Sequence, residues 1–161
     1  MKSTAVNAVG YTGIVTLSQY KNGKQFILAT EYNTGANPLF NFLADCLVGN
    51  FDVASYGIPT KVKLVNKQGD TCTDVSGFLH LYTNPEKVAA TNGESRVRYR
   101  FVIPKTILEN ETFSHIRLYP NYATTTEEYA AEVAPNLDNI NIASSSVLVV
   151  DWELVIKNAG G

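Results

Sequence analysis

The sequence is poor in the residues that most often carry chemistry, with two cysteines, two histidines, one methionine and one tryptophan in 161 residues. Cys46 sits in an apolar stretch and Cys72 in the polar run "KQGDTCTD". Two cysteines so placed have neither the spacing of a zinc site nor the number of a disulfide framework, so a buried thiol and a loop thiol are expected. Charge is also scarce: charged residues make up 17% of the chain, where roughly 25% is usual. Thirteen basic and fifteen acidic residues leave a formal charge of −2, which creates no field to draw in nucleic acid or an anionic membrane. No apolar run approaches the ~18 residues of a membrane span. The opening "MKSTAVNAVGYTG" lacks a basic segment followed by an apolar core, so no signal peptide is expected. Synthesis in a reducing cytoplasm follows. Phosphate loops of the GxxxxGK[ST] or GxGxxG kind are missing too; the glycines of "GYTGIVT" precede a strand, which is the wrong context for one.

What the chain does have is enough apolar material, 45% hydrophobic residues and 11% aromatic, for one domain over residues 1–161 with a core of its own. In "GIVTLSQYKNGKQFILATEY" two alternating runs flank Asn22-Gly23, the pair that best accepts positive φ in a type I′ turn. A hairpin of Gly13–Tyr20 with Lys24–Asn33 is predicted. In "NTGANPLFNFLADCLVGN" Asn37 is placed to cap a helix, Pro38 to open it and Gly49 to stop it. Leu39, Leu43, Cys46 and Leu47 share one face of that helix, and Phe40 and Phe42 extend the apolar surface around most of it. So short a helix is marginal alone in water. It is therefore expected to be embedded in the core over about residues 38–48, as a plug between sheets.

The remaining segments read as strands. "TKVKLVN" sets Val62 and Leu64 against Lys61 and Lys63, as in a half-exposed strand, with "VSGFLHLYT" as its partner. "ESRVRYRFVIP" puts Val97, Tyr99, Phe101 and Ile103 on one side and Arg96, Arg98 and Arg100 on the other, ending at Pro104. "TFSHIRLYP" is a further strand, and "SVLVVDWELVIKN" closes the domain with Leu148, Val150, Trp152, Leu154 and Ile156 on one face. Between them, "NYATTTEEYAAEVAPNLDN" is either a short helix near Thr126–Val133 or a long excursion at about 121–139, and long connections often carry contacts. Some eight strands and one helix predict a mainly β protein, an antiparallel β-sandwich or jelly-roll-like fold.

Candidate chemistry is thin. A nucleophile needs a base that a third group orients. Cys46 lies where burial disfavours a thiolate, and His80 and His115 sit on strands among aromatic and basic residues. No catalytic residue, metal site or cofactor is expected: Asp70, Asp74 and Asp138 lie in turn-like runs that lack the distal Glu of an EF-hand. The row Arg96, Arg98, Arg100 is more informative, because like charges two residues apart repel unless solvent or acids relieve them. It is either a solvated face or a docking strip for a neighbouring subunit's carboxylates or for phosphates, to which Lys61 and Lys63 can add. Most of the nine tyrosines and seven phenylalanines fall at core positions. Tyr56, Tyr119, Tyr122 and Tyr129 are the expected exposed exceptions, so Arg96, Arg98, Arg100, Tyr122 and Tyr129 form the candidate contact surface.

The succession of the early hairpin, "NTGANPLFNFLADCLVGN", "IPTKVKLVN", "VRYRFVIPKTIL", "SHIRLYP" and "SSVLVVDWELVIKN" resembles small β-rich structural proteins of tailed bacteriophages, including those of short-tailed gut phages. The resemblance implies a virion component, assembled in the host cytoplasm, that binds copies of itself and other head, neck or tail proteins, with no site residues to carry over. A carbohydrate-binding β-sandwich for host-surface recognition is the alternative, suggested by loops rich in tyrosine and asparagine.

Overall fold

Alternation of apolar and polar residues accounts for most of the architecture. A computed structural model describes residues 9–33, 35–88, 93–108, 112–137 and 147–158. β1 (Val9–Lys21) and β2 (Lys24–Asn33) form the predicted hairpin, and Asn22 and Gly23 adopt φ of 52° and 74°. Two helices follow, α1 (Asn37–Leu47) and α2 (Phe51–Gly57), then β3 (Pro59–Gln68), β4 (Thr71–Asp74) and β5 (Leu79–His80). β6 (Glu86–Val88) and β7 (Glu94–Pro104) precede a single turn of helix, α3 (Lys105–Leu108), and β8 (His115–Pro120), β9 (Ala131–Val133) and β10 (Val147–Asn158) complete the chain. One sheet runs β2-β1-β10-β7-β6 and the other β4-β3-β8-β9, with β5 also on β3. All their pairings are antiparallel. The protein is a β-sandwich.

The facing sides of the two sheets make one core. Val15, Leu17, Phe101, Ile103, Leu148, Val150, Trp152 and Leu154 come from the first sheet. Val62, Leu64, Ile116, Leu118, Ala131 and Val133 come from the second. Burying each large side chain contributes about 1.5–3 kcal/mol, and the strands supply most of the interior, joined by Leu39 of α1 and Leu108 of α3. α1 is embedded through one face only and is not a plug enclosed between the sheets. Leu39 is fully buried and Phe42 and Leu43 pack partly on the core, but Phe40 is 49% exposed and Leu47 80%. α1 lies along the rim of the sandwich and buries one narrow face.

Its start differs as well. The N-cap is Ala36, not Asn37, and no side chain caps the helix. Ala36 is extended and donates its N–H to the Ala130 carbonyl (2.6 Å), so a tertiary contact holds the position that a polar cap would otherwise fill. Gly49 ends the helix as expected, with φ of 76°.

β3 is less exposed than its lysines suggested. It is flanked by β4, β5 and β8; of "VSGFLHLYT", Leu79–His80 pairs with it as β5, Val75 and Ser76 donate to the Leu64 carbonyl, and Leu81 donates to that of Thr60. On its outer side lies the segment 121–130, which contains no helix. The chain turns there and returns as β9 alongside β8. Lys63 is consequently buried, and so is Tyr119, which had been expected at the surface. The part of the long connection after Leu137, including Asp138, lies outside the described residues.

Candidate functional site

Three surfaces hold the functional side chains. The first is a groove of about 870 Å³ between α1 and the adjoining ends of β1, β2, β9 and β10, lined chiefly by Tyr32, Phe40, Leu43, Leu47, Val133 and Ile156. Its geometry follows from two anchors: Gly35 bridges to Ala131 and Ala36 donates to Ala130. These tie the start of α1 to β9, and Leu43, Cys46 and Leu47 farther along the helix line the groove. Along the chain, apolar exposure continues past the groove through Val48 to Phe51 at the head of α2. Exposed apolar side chains scattered singly are ordinary, whereas a contiguous set marks a contact surface. Cys46 lines the groove as a free thiol, its pKa raised by burial and then by the nearby Asp45 carboxylate. It is a thiol, not a thiolate.

The second surface is the outer side of the first sheet. Arg98 and Arg100 lie directly across from Glu153 and Asp151 in the β7–β10 register. Arg100 makes a parallel pair of bonds to Asp151 (2.7 and 2.9 Å), Arg96 engages Glu94 and Glu153, and Arg98 engages Glu153 and Glu86. The acidic partners that like-charge spacing demands are therefore supplied within the chain, by β10, β6 and β7 itself. These guanidinium groups form an intramolecular ladder.

The third surface is the outer side of the second sheet, covered by residues 121–130. Arg117 is 3% exposed, bonds Glu132 (2.6 Å) and the Thr126 carbonyl (3.1 Å), and lies against the Tyr129 ring (4.1 Å to its centre). Burial works against its charge, but the hydrogen bond and charge of Glu132 outweigh it and raise the pKa. Lys63 bonds Asp74 and Thr126 (2.9 Å each) and faces the Phe78 ring. Burial alone would raise the pKa values of Glu132 and Asp74. Hydrogen bonds from Lys67 and Arg117 to Glu132, and from Lys63 and Thr126 to Asp74, reverse that and hold both below the ordinary range. Tyr119 donates to the Thr126 carbonyl (2.9 Å), and burial raises its pKa.

Of the sequence-derived contact residues, the arginines share one face with their acids, Tyr122 is exposed, and Tyr129 is half-buried beside Arg117. These do not meet in one place: Tyr122 and Tyr129 belong to the segment over the second sheet. The histidines stay apart as well. His80 is exposed opposite Lys61, and His115 pairs with Val65, four residues along β3. The pKa of His115 is lowered mainly by burial, and Ser114 Oγ lies 2.8 Å from its Nδ1. Among the described residues, no group of three His, Cys, Asp or Glu side chains could hold a metal ion. No helix there is long and apolar enough to cross a membrane.

Sequence reasoning missed the groove. The signal was available in α1, which is apolar nearly all round; that pattern means either full burial or an unpartnered face, and the former was inferred. Compared with known proteins, the chain matches no family model, no curated protein and no solved structure.

Proposed function

We propose that the chain is an assembly subunit that works by associating with copies of itself and docking to other proteins of a larger particle. The observation that carries this reading is the set of exposed apolar side chains at the α1 groove, Tyr32, Phe40 and Leu47, followed in the chain by Val48 and Phe51. A domain with a complete core between its sheets gains nothing in folding from leaving these side chains in water. Burying them against a partner contributes about 25 cal/mol per Å² of apolar area. The particle is a tailed-bacteriophage virion, with the subunit among the capsid, portal, neck or tail proteins; here the support is the order of sequence segments that resembles such proteins.

Native mass spectrometry and sedimentation of the purified chain test the first half. Discrete oligomers are expected, and the Leu47→Asp, Phe51→Asp double variant is expected to be monomeric while still folded. A wild-type chain that stays monomeric at every concentration reached would overturn the reading. Finding the chain in purified phage particles tests the second half.

A further inference from the structure

Two exposed tyrosines near the second sheet, Tyr56 and Tyr122, are joined through the main chain. Tyr122 donates its main-chain N–H to the Tyr56 carbonyl (3.1 Å), and the preceding residue, Asn121, donates to Ile58 (2.9 Å). These two bonds fasten the end of α2 to the turn after β8 and make Tyr56 and Tyr122 main-chain neighbours, with side chains 64% and 46% exposed. Tyr32 and Tyr82 are also exposed, but Tyr32 belongs to the apolar groove, and Tyr82 is tied to the β7 backbone at Arg100.

The surroundings of the pair are polar and uncharged to weakly acidic. Asn121 accepts a hydrogen bond from the Thr60 hydroxyl (3.2 Å), and Thr124 and Thr125 both bond the Glu128 carboxylate. Ser55 and Asp52 are exposed on the same helix as Tyr56. Of the cations that reach this segment, Lys61 donates to the Ala123 carbonyl (2.8 Å) and faces the Phe78 ring (4.8 Å), while Lys63 and Arg117, both buried, bond Thr126 farther along it.

We infer that Tyr56 and Tyr122 form a stacking platform for a neutral oligosaccharide, with Asn121 and the neighbouring hydroxyl groups as its hydrogen-bonding rim. A pyranose presents a flat face of C–H bonds and an edge of hydroxyls. The first packs on an electron-rich ring and the second exchanges hydrogen bonds with amides and hydroxyls. Tyrosine supplies rigid, amphipathic contact area at low entropic cost. Nucleic-acid stacking would call for cations along the patch, and a fatty ligand would call for a closed apolar cavity; this patch offers neither. The site is separate from the α1 groove and does not depend on self-association.

Saturation-transfer NMR on the full chain, with maltotetraose, cellotetraose and chitotetraose as probes and a proline-rich peptide as the competing class, tests the inference. Transfer is expected to the ring C–H protons of at least one sugar. Tyr56→Ala and Tyr122→Ala should each weaken binding by about tenfold or more, while Tyr56→Phe, which keeps the ring, and Tyr82→Ala leave it intact. Intermolecular Overhauser contacts between the sugar and the tyrosine ring protons of the unaltered protein give a readout independent of how the alanine variants fold. No transfer to any of the three sugars, binding that survives both alanine substitutions, or binding of the peptide in place of sugar would overturn it.

Discussion

Trp152 is fully buried at the centre of β10, and its indole N–H bonds Asn33 Oδ1 (3.1 Å) at the end of β2. The Asn33 side chain occupies the space that a Cβ on Gly13 would need, and Gly13 and Asn33 are register partners in the β1–β2 hairpin. Three residues far apart in the chain thus depend on one another, each for a different reason: bulk, a polar partner, and the absence of a side chain. Trp152→Ala should lower unfolding free energy by about 3–5 kcal/mol. Gly13→Ala should displace Asn33 and leave the buried indole N–H without its acceptor, at a cost of about 1–3 kcal/mol. Both are measured by chemical denaturation, and an unchanged midpoint in either would show that the contact does not contribute.

The elements differ in what holds them. α1 carries its weight on Leu39 near its start, so Leu47, exposed at its end, can change without harm. Leu47→Asp should alter stability by no more than about 0.5 kcal/mol while weakening self-association, which equilibrium unfolding and sedimentation together would read. The segment 121–130 is held by charge instead. Lys63, Lys67 and Arg117 face Asp74, Glu127 and Glu132, with His115 beside them, and Lys61 donates to the Ala123 carbonyl. Glu132 and Asp74 both titrate lower in the folded chain than unfolded. The stability they confer is therefore fully present above the ordinary carboxylate range and is lost as pH falls through it towards their folded values. Amide exchange should show residues 121–130 opening in acid before the β1–β10–β7 sheet does. Glu132→Gln should bring that opening to neutral pH.

At the scale of the molecule, the two sandwich faces and the rim have separate work. The Arg96, Arg98 and Arg100 ladder is satisfied within the chain, and the apolar rim is not. Association through the rim should therefore respond little to ionic strength, because screening weakens exposed charge pairs and leaves apolar burial intact. Sedimentation in low and high salt checks this: a steep loss of oligomer in salt would instead assign the contact to the arginine face.

The parts legible in advance were those governed by neighbours in sequence. The Asn22-Gly23 turn, the Gly49 stop, the inward row from Val97 to Ile103 and the inward row from Leu148 to Leu154 follow from φ preference and a period of two, which local residues dictate. Whether a face so defined is then covered depends on segments distant in the chain. Lys63 and Tyr119 are buried because residues 121–130 fold back over them, and Leu47 is exposed because the strands supply most of the interior. Periodicity reports which side chains point the same way; only the assembled fold decides what, if anything, lies opposite them.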